Sequence, residues 1–229
     1  MLKRFIDKKT AFTLTELLIA LTIIGAVSAM AIPNLIEGLQ KRSLVAQVKN
    51  VYGIVQEVAR EQMIVKKTKN LIDTDFADPA KLLSDKHFQI TKKCSYATEC
   101  WSATYKRLSD KQPTSRVVDE KIDTGKSVIL KSGAILTYTT DLTTNYPVMT
   151  DGDKVIGMFR VDVNGSDKPN IIGRDVFWFL ITRKGKVVDF YTANKKTYSK
   201  DKATEECKTA STITSCIALV MRNNWVMDY

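Results

Sequence analysis

The sequence predicts an α+β fold in which one long N-terminal helix packs on an antiparallel β-sheet head. Three features support this prediction: an uncharged apolar run close to the N-terminus, an amphipathic stretch directly after it, and hydrophobic β-forming segments between glycine turns from Ser127 onwards. Helical and strand patterns that occupy separate parts of a chain are typical of the α+β class. At 229 residues, the chain has room for one sizeable head domain beyond the helix.

The apolar run, residues 17–36, contains 20 residues and no charged side chain. A helix rises about 1.5 Å per residue, so the run is long enough to cross a hydrocarbon core of roughly 30 Å. Glu16 stands directly before it. A carboxylate near lipid costs about 2.5 kcal/mol or more unless it lies at the interface or has a partner, so the position of Glu16 needs an explanation.

The second half of the predicted helix follows Pro33, which is expected to kink the helix at or just before Asn34. From residue 39 to about residue 66, apolar side chains recur at three- and four-residue steps, and charged side chains fall between them. We expect this stripe to pack on the sheet. Its members are Leu44, Val48, Val51, Tyr52, Val55, Val58, Ala59 and Met63.

The head is predicted from changes in composition along the chain. Residues 67–126 are charged and irregular, and we expect a variable insertion that faces partners. Residues 127–229 are expected to form the antiparallel sheet and a cysteine-containing tail. Strands are predicted on either side of the turn at residues 131–133, over residues 154–163 and 175–182, and over residues 186–192 after the turn at residues 183–185.

The residues at the N-terminus allow three interpretations, of which the first two are a secretory signal and a plain membrane anchor. Basic residues before an apolar run, with alanines at 29 and 31, fit a secretory signal that is cut before Ile32. The same residues fit a plain single-pass anchor that keeps Met1, because positive charges remain on the cytoplasmic side. Either of these two would make the chain a membrane-anchored or secreted β-rich binding protein or adhesin.

The third interpretation depends on the leader MLKRFIDKKTA and on the motif F-T-L-T-E that follows it at residues 12–16. Together they resemble the N-terminal signal of type IV prepilins and type II secretion pseudopilins. The resemblance implies a pilin-like fold, cleavage by a prepilin peptidase after Ala11 and methylation of the new N-terminus at Phe12. Ala11 stands where the family usually has glycine.

The same resemblance implies a location and a function. The chain would be a structural subunit, pilin or pseudopilin, of a type IV pilus or a type II secretion filament. It would cross the bacterial inner membrane once, with its head in the periplasm or outside the cell, before it enters a homo- or hetero-oligomeric filament on an inner-membrane assembly platform.

The resemblance also implies a role for Glu16 in assembly, because in the family this glutamate meets the N-terminal amine of a neighbouring subunit. In low-dielectric surroundings an unpaired carboxylate is costly, and a charged partner on the next chain relieves the cost only in the correct register. We therefore expect Glu16 to set the register of subunits in a filament.

The four cysteines form two local pairs in a head that is expected to leave the cytoplasm, so disulfides are plausible there. Three connectivities are possible; pairing Cys94 with Cys100 and Cys207 with Cys216 closes the shortest loops. Neither pair has zinc-site spacing, and the single histidine, His87, lies beside neither pair. We expect His87 at the surface.

One loop, residues 161–175, is rich in oxygen donors and has two glycines to bend the chain. Calcium binds six to eight such oxygens, and some pseudopilins bind calcium in a loop beside the sheet. The alternative is that these side chains form Asx-turns and accept backbone hydrogen bonds. The candidate calcium ligands are Asp162, Asn164, Asp167, Asn170 and Asp175.

Catalysis is not expected, because the sequence contains no G-x-S-x-G, H-E-x-x-H or Walker motif and has a single histidine. The formal net charge of +10 is compatible with contact to DNA, but the sequence contains no nucleic-acid-binding signature or basic block, which favours an ordinary solvated basic surface.

Overall fold

The computed structural model describes residues 13–102, 104–114, 126–140, 149, 151–194, 196–210 and 214–229. The chain divides into two compact units, Met1–Gln40 and Lys41–Tyr229. The helix α1, Leu14–Val65, contains residues of both units, and Pro33 lies inside it without ending it. The predicted kink at Asn34 stays a prediction.

In the first unit, α1 is apolar and exposed. Among the described residues, α1 is the one helix that is long and apolar enough to cross a membrane. The mean hydropathy of its most apolar 18-residue window is 2.0, and none of that window is buried. By length and composition, α1 therefore fits a single-pass membrane anchor.

In the second unit, one face of α1 is buried. Most of the predicted stripe lies on this face, and Tyr52 and Met63 are partly buried beside it. The ring of Tyr52 lies 6.1 Å from that of Phe179, and its hydroxyl donates to the Val187 carbonyl oxygen at 3.3 Å. The buried residues of α1 are Leu44, Val45, Val48, Val51, Val55, Val58, Ala59 and Gln62.

As far as the described residues show, the main sheet consists of six antiparallel strands: β1 (Ile90–Cys94), β4 (Ser127–Leu130), β5 (Ile135–Thr140), β6 (Val155–Asp162), β7 (Val176–Thr182) and β8 (Val187–Val188). They lie side by side in the order β1-β4-β5-β6-β7-β8. A separate small hairpin joins β2 (Tyr105–Lys106) to β3 (Pro113–Thr114). The long helix and this sheet confirm the predicted fold class: the arrangement is α+β and pilin-like.

Aromatic side chains join the central strands to each other. The ring centroid of Phe159 lies 4.5 Å from that of Tyr138 and 5.5 Å from that of Phe179. Residues on the opposite face alternate with these, and there the Arg160 guanidinium lies 5.5 Å from the ring centroid of Trp178. The alternation follows from the two-residue period of a strand.

Two features of the sheet differ from the sequence prediction. The insertion contributes the edge strand β1, which pairs with β4 although its pattern, I-T-K-K-C, lacks hydrophobic alternation. The predicted strand at residues 186–192 is wrong in its second half, because β8 ends at Val188. Asp189 then caps the short helix α3, Phe190–Ala193, by accepting from the Thr192 backbone N–H at 2.9 Å.

Further short helices occur outside the sheet. The insertion begins with two 3-10 turns, Leu71–Asp73 and Asp75–Ala77, and with α2, Pro79–Leu82. The C-terminal tail contains α4, Lys200–Lys208, and α5, Ser215–Arg222. A disulfide between Cys207 and Cys216 joins these last two helices, and a second disulfide joins Cys94 to Cys100.

The expectation that His87 lies at the surface is wrong. Its side chain is only 1% exposed, and its Nε2 lies 2.8 Å from Asp75 Oδ2. Burial favours a raised pKa for Asp75, but the hydrogen bond with His87 and the nearby charges of Lys86 and Lys66 lower it overall. A carboxylate partner makes burial of the imidazole tolerable.

Candidate functional site

The first candidate site is the N-terminal end of α1. The Glu16 Oε2 atom accepts hydrogen bonds from the Thr13 backbone N–H and from the Thr13 hydroxyl, both at 2.8 Å. The Thr13 hydroxyl oxygen accepts from the Glu16 N–H at 3.2 Å. This is a capping box, in which two residues three apart satisfy the free N–H groups at the start of a helix.

The capping box gives Glu16 a role within its own chain that the sequence reasoning missed. The signal was present, because Thr13-Leu14-Thr15-Glu16 matches the pattern of Ser or Thr followed three residues later by Glu or Gln. The processing residues Ala11 and Phe12 lie outside the described residues. Glu16 therefore lies at the first turn of an exposed apolar helix, where its carboxylate is accessible.

The second candidate site is the loop between β6 and β7, which begins after Asp162 and ends at Asp175. Asp162 pairs in register with Val176, so the two ends of the loop meet at one edge. Asp162 and Asp175 are both 0% exposed. Tyr105 donates to Asp162 Oδ2 at 2.6 Å, and the Ile171 N–H donates to Asp175 Oδ1 at 2.7 Å.

Four buried side-chain oxygens of this loop receive no hydrogen bond within the part of the chain that the structure describes. They are Asp162 Oδ1, Asn164 Oδ1, Asn170 Oδ1 and Asp175 Oδ2. Buried polar atoms are nearly always paired, so four unpaired acceptors in one loop call for an explanation. The amide donors of both asparagines are in use: Asn164 bonds the carbonyls of Asp167 and Lys168, and Asn170 bonds Ser102 Oγ.

Burial also raises the pKa values of the two loop aspartates. Burial raises the pKa of Asp162 to about 8, and the Asp175 charge adds to the shift; the hydrogen bond from Tyr105 and the backbone N–H groups of Asn164 and Gly165 oppose it. Burial likewise raises the pKa of Asp175 to about 6, although backbone hydrogen bonds and Arg174 oppose the shift. A cation beside the two carboxylates would offset the cost of their burial.

The residues fit a hard cation better than a transition metal. Among the described residues, no three or more His, Cys, Asp or Glu side chains form a group that could hold a metal ion, so a cation in this loop would depend on two carboxylates and on amide oxygens. Two carboxylates with amide oxygens are the ligand type of calcium. Asp167 is exposed, and its backbone carbonyl accepts from Asn164 Nδ2 at 2.9 Å.

Comparison with known proteins finds a match that covers the N-terminal end of α1. The fold is pilin-like, and residues 6–32 match the family model described as the prokaryotic N-terminal methylation motif. Neither a curated protein nor a solved structure matches the chain. The chain therefore carries the methylation motif at the position where the leader and the F-T-L-T-E sequence predicted it, which is consistent with the type IV pilin-like family.

Proposed function

We propose that this chain is a structural subunit of a type IV pilus or a type II secretion filament, rather than an enzyme. A prepilin peptidase removes residues 1–11, Phe12 is methylated, and α1 holds the subunit in the inner membrane with the head in the periplasm or outside the cell. The observation that carries the proposal is the methylation motif at residues 6–32, which includes the start of an exposed apolar helix.

The exposed helix explains why such a subunit would polymerise. Large apolar side chains are exposed along the first half of α1, including Leu21 at 66% and Met30 at 77%. A surface of this kind must be covered by lipid or by other protein. In a filament the helices of neighbouring subunits cover one another, so the same surface serves as anchor before assembly and as interface afterwards.

The N-terminus of the mature protein tests processing directly. N-terminal sequencing and mass spectrometry are expected to find methyl-Phe12. A chain that keeps Met1 would instead be a single-pass anchored binding protein, and a chain that begins at Ile32 would be a secreted one. Either result would overturn the filament proposal.

The role of the Glu16 charge needs a variant that preserves the capping box. Gln supports such a box as well as Glu does, so Glu16→Gln keeps the helix start and removes only the charge. Breaking a desolvated ion pair costs about 3–5 kcal/mol, which corresponds to more than a hundredfold in affinity. We expect both Glu16→Gln and Glu16→Ala to be at least tenfold depleted from sheared filaments.

The matched control is Glu61→Gln, which removes a carboxylate from an exposed position of the same helix. This variant is expected to assemble as the wild type does. If Glu16→Gln also assembles normally while Glu16→Ala does not, Glu16 acts as a helix cap alone and the charge-pairing role is wrong.

We further propose that the loop between β6 and β7 binds a divalent cation, with calcium as the best fit, through Asp162, Asn164, Asn170 and Asp175. The four unpaired buried oxygens support this proposal. A ligand at a hundred times its dissociation constant stabilises the folded state by about 2.7 kcal/mol, which is about 5–10 °C in Tm for a chain of this size.

The test is thermal unfolding of the full chain in detergent, in millimolar calcium and in EDTA. The wild type is expected to gain stability in calcium, and Asp162→Asn is expected to lose that gain. Asp167→Asn removes an exposed carboxylate from the same loop and is expected to keep it. The absence of any calcium effect on the wild type would refute the cation site.

A further inference from the structure

Part of the insertion is attached to the loop between β6 and β7 through the residues that carry the unpaired oxygens. We call residues 101–102 and 104–114 the insertion arm. Its Tyr105 is 2% exposed and donates to Asp162 Oδ2, while Asp162 Oδ1 is one of the unpaired atoms. One oxygen of the Asp162 carboxylate therefore bonds the arm, and the other is unpaired.

Asn170 makes the same kind of double contact. Its side-chain N–H donates to Ser102 Oγ at 3.3 Å, and its backbone carbonyl accepts from the Lys106 N–H at 2.9 Å. Its Oδ1 is unpaired. Asn170 has a φ of 50°, a left-handed conformation that Asn tolerates better than most residues.

Backbone pairing adds to the contacts between the arm and the loop, while Trp101 Nε1 donates to Thr137 Oγ1 on β5 at 2.8 Å and the Ser109 N–H donates to the Lys208 carbonyl at 3.0 Å. The Ile172 N–H donates to the Lys106 carbonyl at 3.0 Å, so Lys106 bonds the loop through both of its backbone groups. The Ser102 N–H donates to the Tyr105 hydroxyl oxygen at 3.2 Å, which holds the phenol that bonds Asp162. The arm therefore meets the loop at Asp162, Asn170 and Ile172.

We infer that cation binding in the loop between β6 and β7 locks the insertion arm to the head, so that the divalent cation concentration controls the order of the surface that the arm presents. The inference rests on the cation site proposed above. A cation on Asp162 Oδ1 and Asn170 Oδ1 would fix the orientation of both side chains. The other polar atom of each side chain bonds the arm: Asp162 Oδ2 accepts from Tyr105, and Asn170 Nδ2 donates to Ser102.

Coupling of this kind must act in both directions. Tyr105 supports the carboxylate that the cation would bind, as outer groups support metal ligands in general, and loss of such a group typically weakens metal affinity about 10–100-fold. We therefore expect Tyr105→Phe to weaken calcium binding by about tenfold or more in titration calorimetry.

The direct test is hydrogen exchange of the full chain in detergent, in millimolar calcium and in EDTA. Calcium is expected to slow exchange at the amides of Lys106 and Ile172 by about tenfold or more, the size of a typical allosteric coupling. Tyr105→Phe is expected to lose most of this effect. Tyr198→Phe is the matched control, because Tyr198 packs against Arg222 and Tyr191 instead of the loop, and it is expected to keep the effect.

The outcomes separate this inference from the cation site itself. If calcium raises the Tm of the wild type but leaves exchange in the arm unchanged, the cation site stands and the coupling is wrong. If exchange slows equally in the arm and in β5, the effect is global stabilisation and the coupling is also wrong. If calcium changes neither quantity, both the site and the inference fail.

Discussion

Gly157 is the position in the sheet where a single methyl group should be most costly. Gly157 pairs with Thr140 on β5 and with Ile181 on β7, so it lies in the middle of the sheet. A Cβ atom added there would lie 2.5 Å from Cε2 and from the hydroxyl oxygen of Tyr138. Real Cβ atoms do not approach other atoms so closely, so the Tyr138 ring would have to move.

The Tyr138 ring has little freedom to move. It is 0% exposed, it packs on Phe159, and its hydroxyl donates to the Phe76 carbonyl at 2.9 Å. Overpacking a core costs about 1–3 kcal/mol, and leaving a buried acceptor unpaired costs about 1–3 kcal/mol more. We expect Gly157→Ala to lower the free energy of unfolding by about 2–6 kcal/mol.

The matched control is the same substitution at Gly53, where it is expected to raise the free energy of unfolding instead of lowering it. Gly53 is exposed in α1, and a Cβ there would meet no atom within 4 Å. Gly53→Ala is expected to stabilise the protein by about 0.5–1 kcal/mol, because alanine favours the helix. Urea unfolding of the full chain in detergent, with both disulfides intact, measures both variants.

A second variant tests whether the clash with Tyr138 causes the loss of stability in Gly157→Ala. In a Tyr138→Leu protein the obstructing ring atoms are gone, so adding Gly157→Ala should cost clearly less than it does in the wild type. The reasoning is refuted if Gly157→Ala unfolds within about 0.5 kcal/mol of the wild type, or if the cost is the same in both backgrounds.

Two further predictions concern the helix stripe and a buried acid. Val55 is 0% exposed, so Val55→Ala should lower the free energy of unfolding by about 2–3 kcal/mol. Val65 is 58% exposed, so Val65→Ala should change it by less than about 0.5 kcal/mol. Equal effects of the two substitutions in urea unfolding would contradict this prediction. The pKa of Asp75 is lowered in the fold, so its ionised form stabilises the protein above the unfolded pKa of about 3.9, and that contribution is lost at lower pH. Asp75→Asn should therefore lose less stability than the wild type between neutral pH and about pH 3 in thermal unfolding; an equal loss would show that Asp75 is not responsible.

The sequence predicted the elements that bury one continuous face. The α1 stripe follows a 3.6-residue period, and the central strands combine β-branched and aromatic residues with turns at Gly133 and Gly185, which have φ values of 88° and 80°. A helix or strand with one apolar face can be recognised from its own segment of sequence, because the spacing of its apolar residues shows which side chains are buried.

Elements whose positions depend on distant partners could not be recognised in this way. The strand β1 has three exposed residues in its centre and exists because β4 offers it an open edge. The burial of His87 depends on Asp75, twelve residues away, and the link from Tyr105 to Asp162 spans 57 residues. The oxygen-rich loop could be found from composition, but its unpaired oxygens depend on the three-dimensional packing.

The proposed pairing of Glu16 with a neighbouring chain is compatible with its capping role, because the two would use different atoms. Both bonds from Thr13 go to Oε2, and among the described residues no bond to Oε1 is present. A carboxylate has about four acceptor positions, so Oε1 can accept from an amine of a neighbouring chain while Oε2 caps the helix. Pairing with a neighbour therefore does not require the helix start to unravel, and the capping box holds the carboxylate in one orientation before the neighbour arrives. If Glu16 pairs with a neighbour as proposed, this pre-organisation would lower the conformational entropy that assembly costs, and Thr13 would help to set the register.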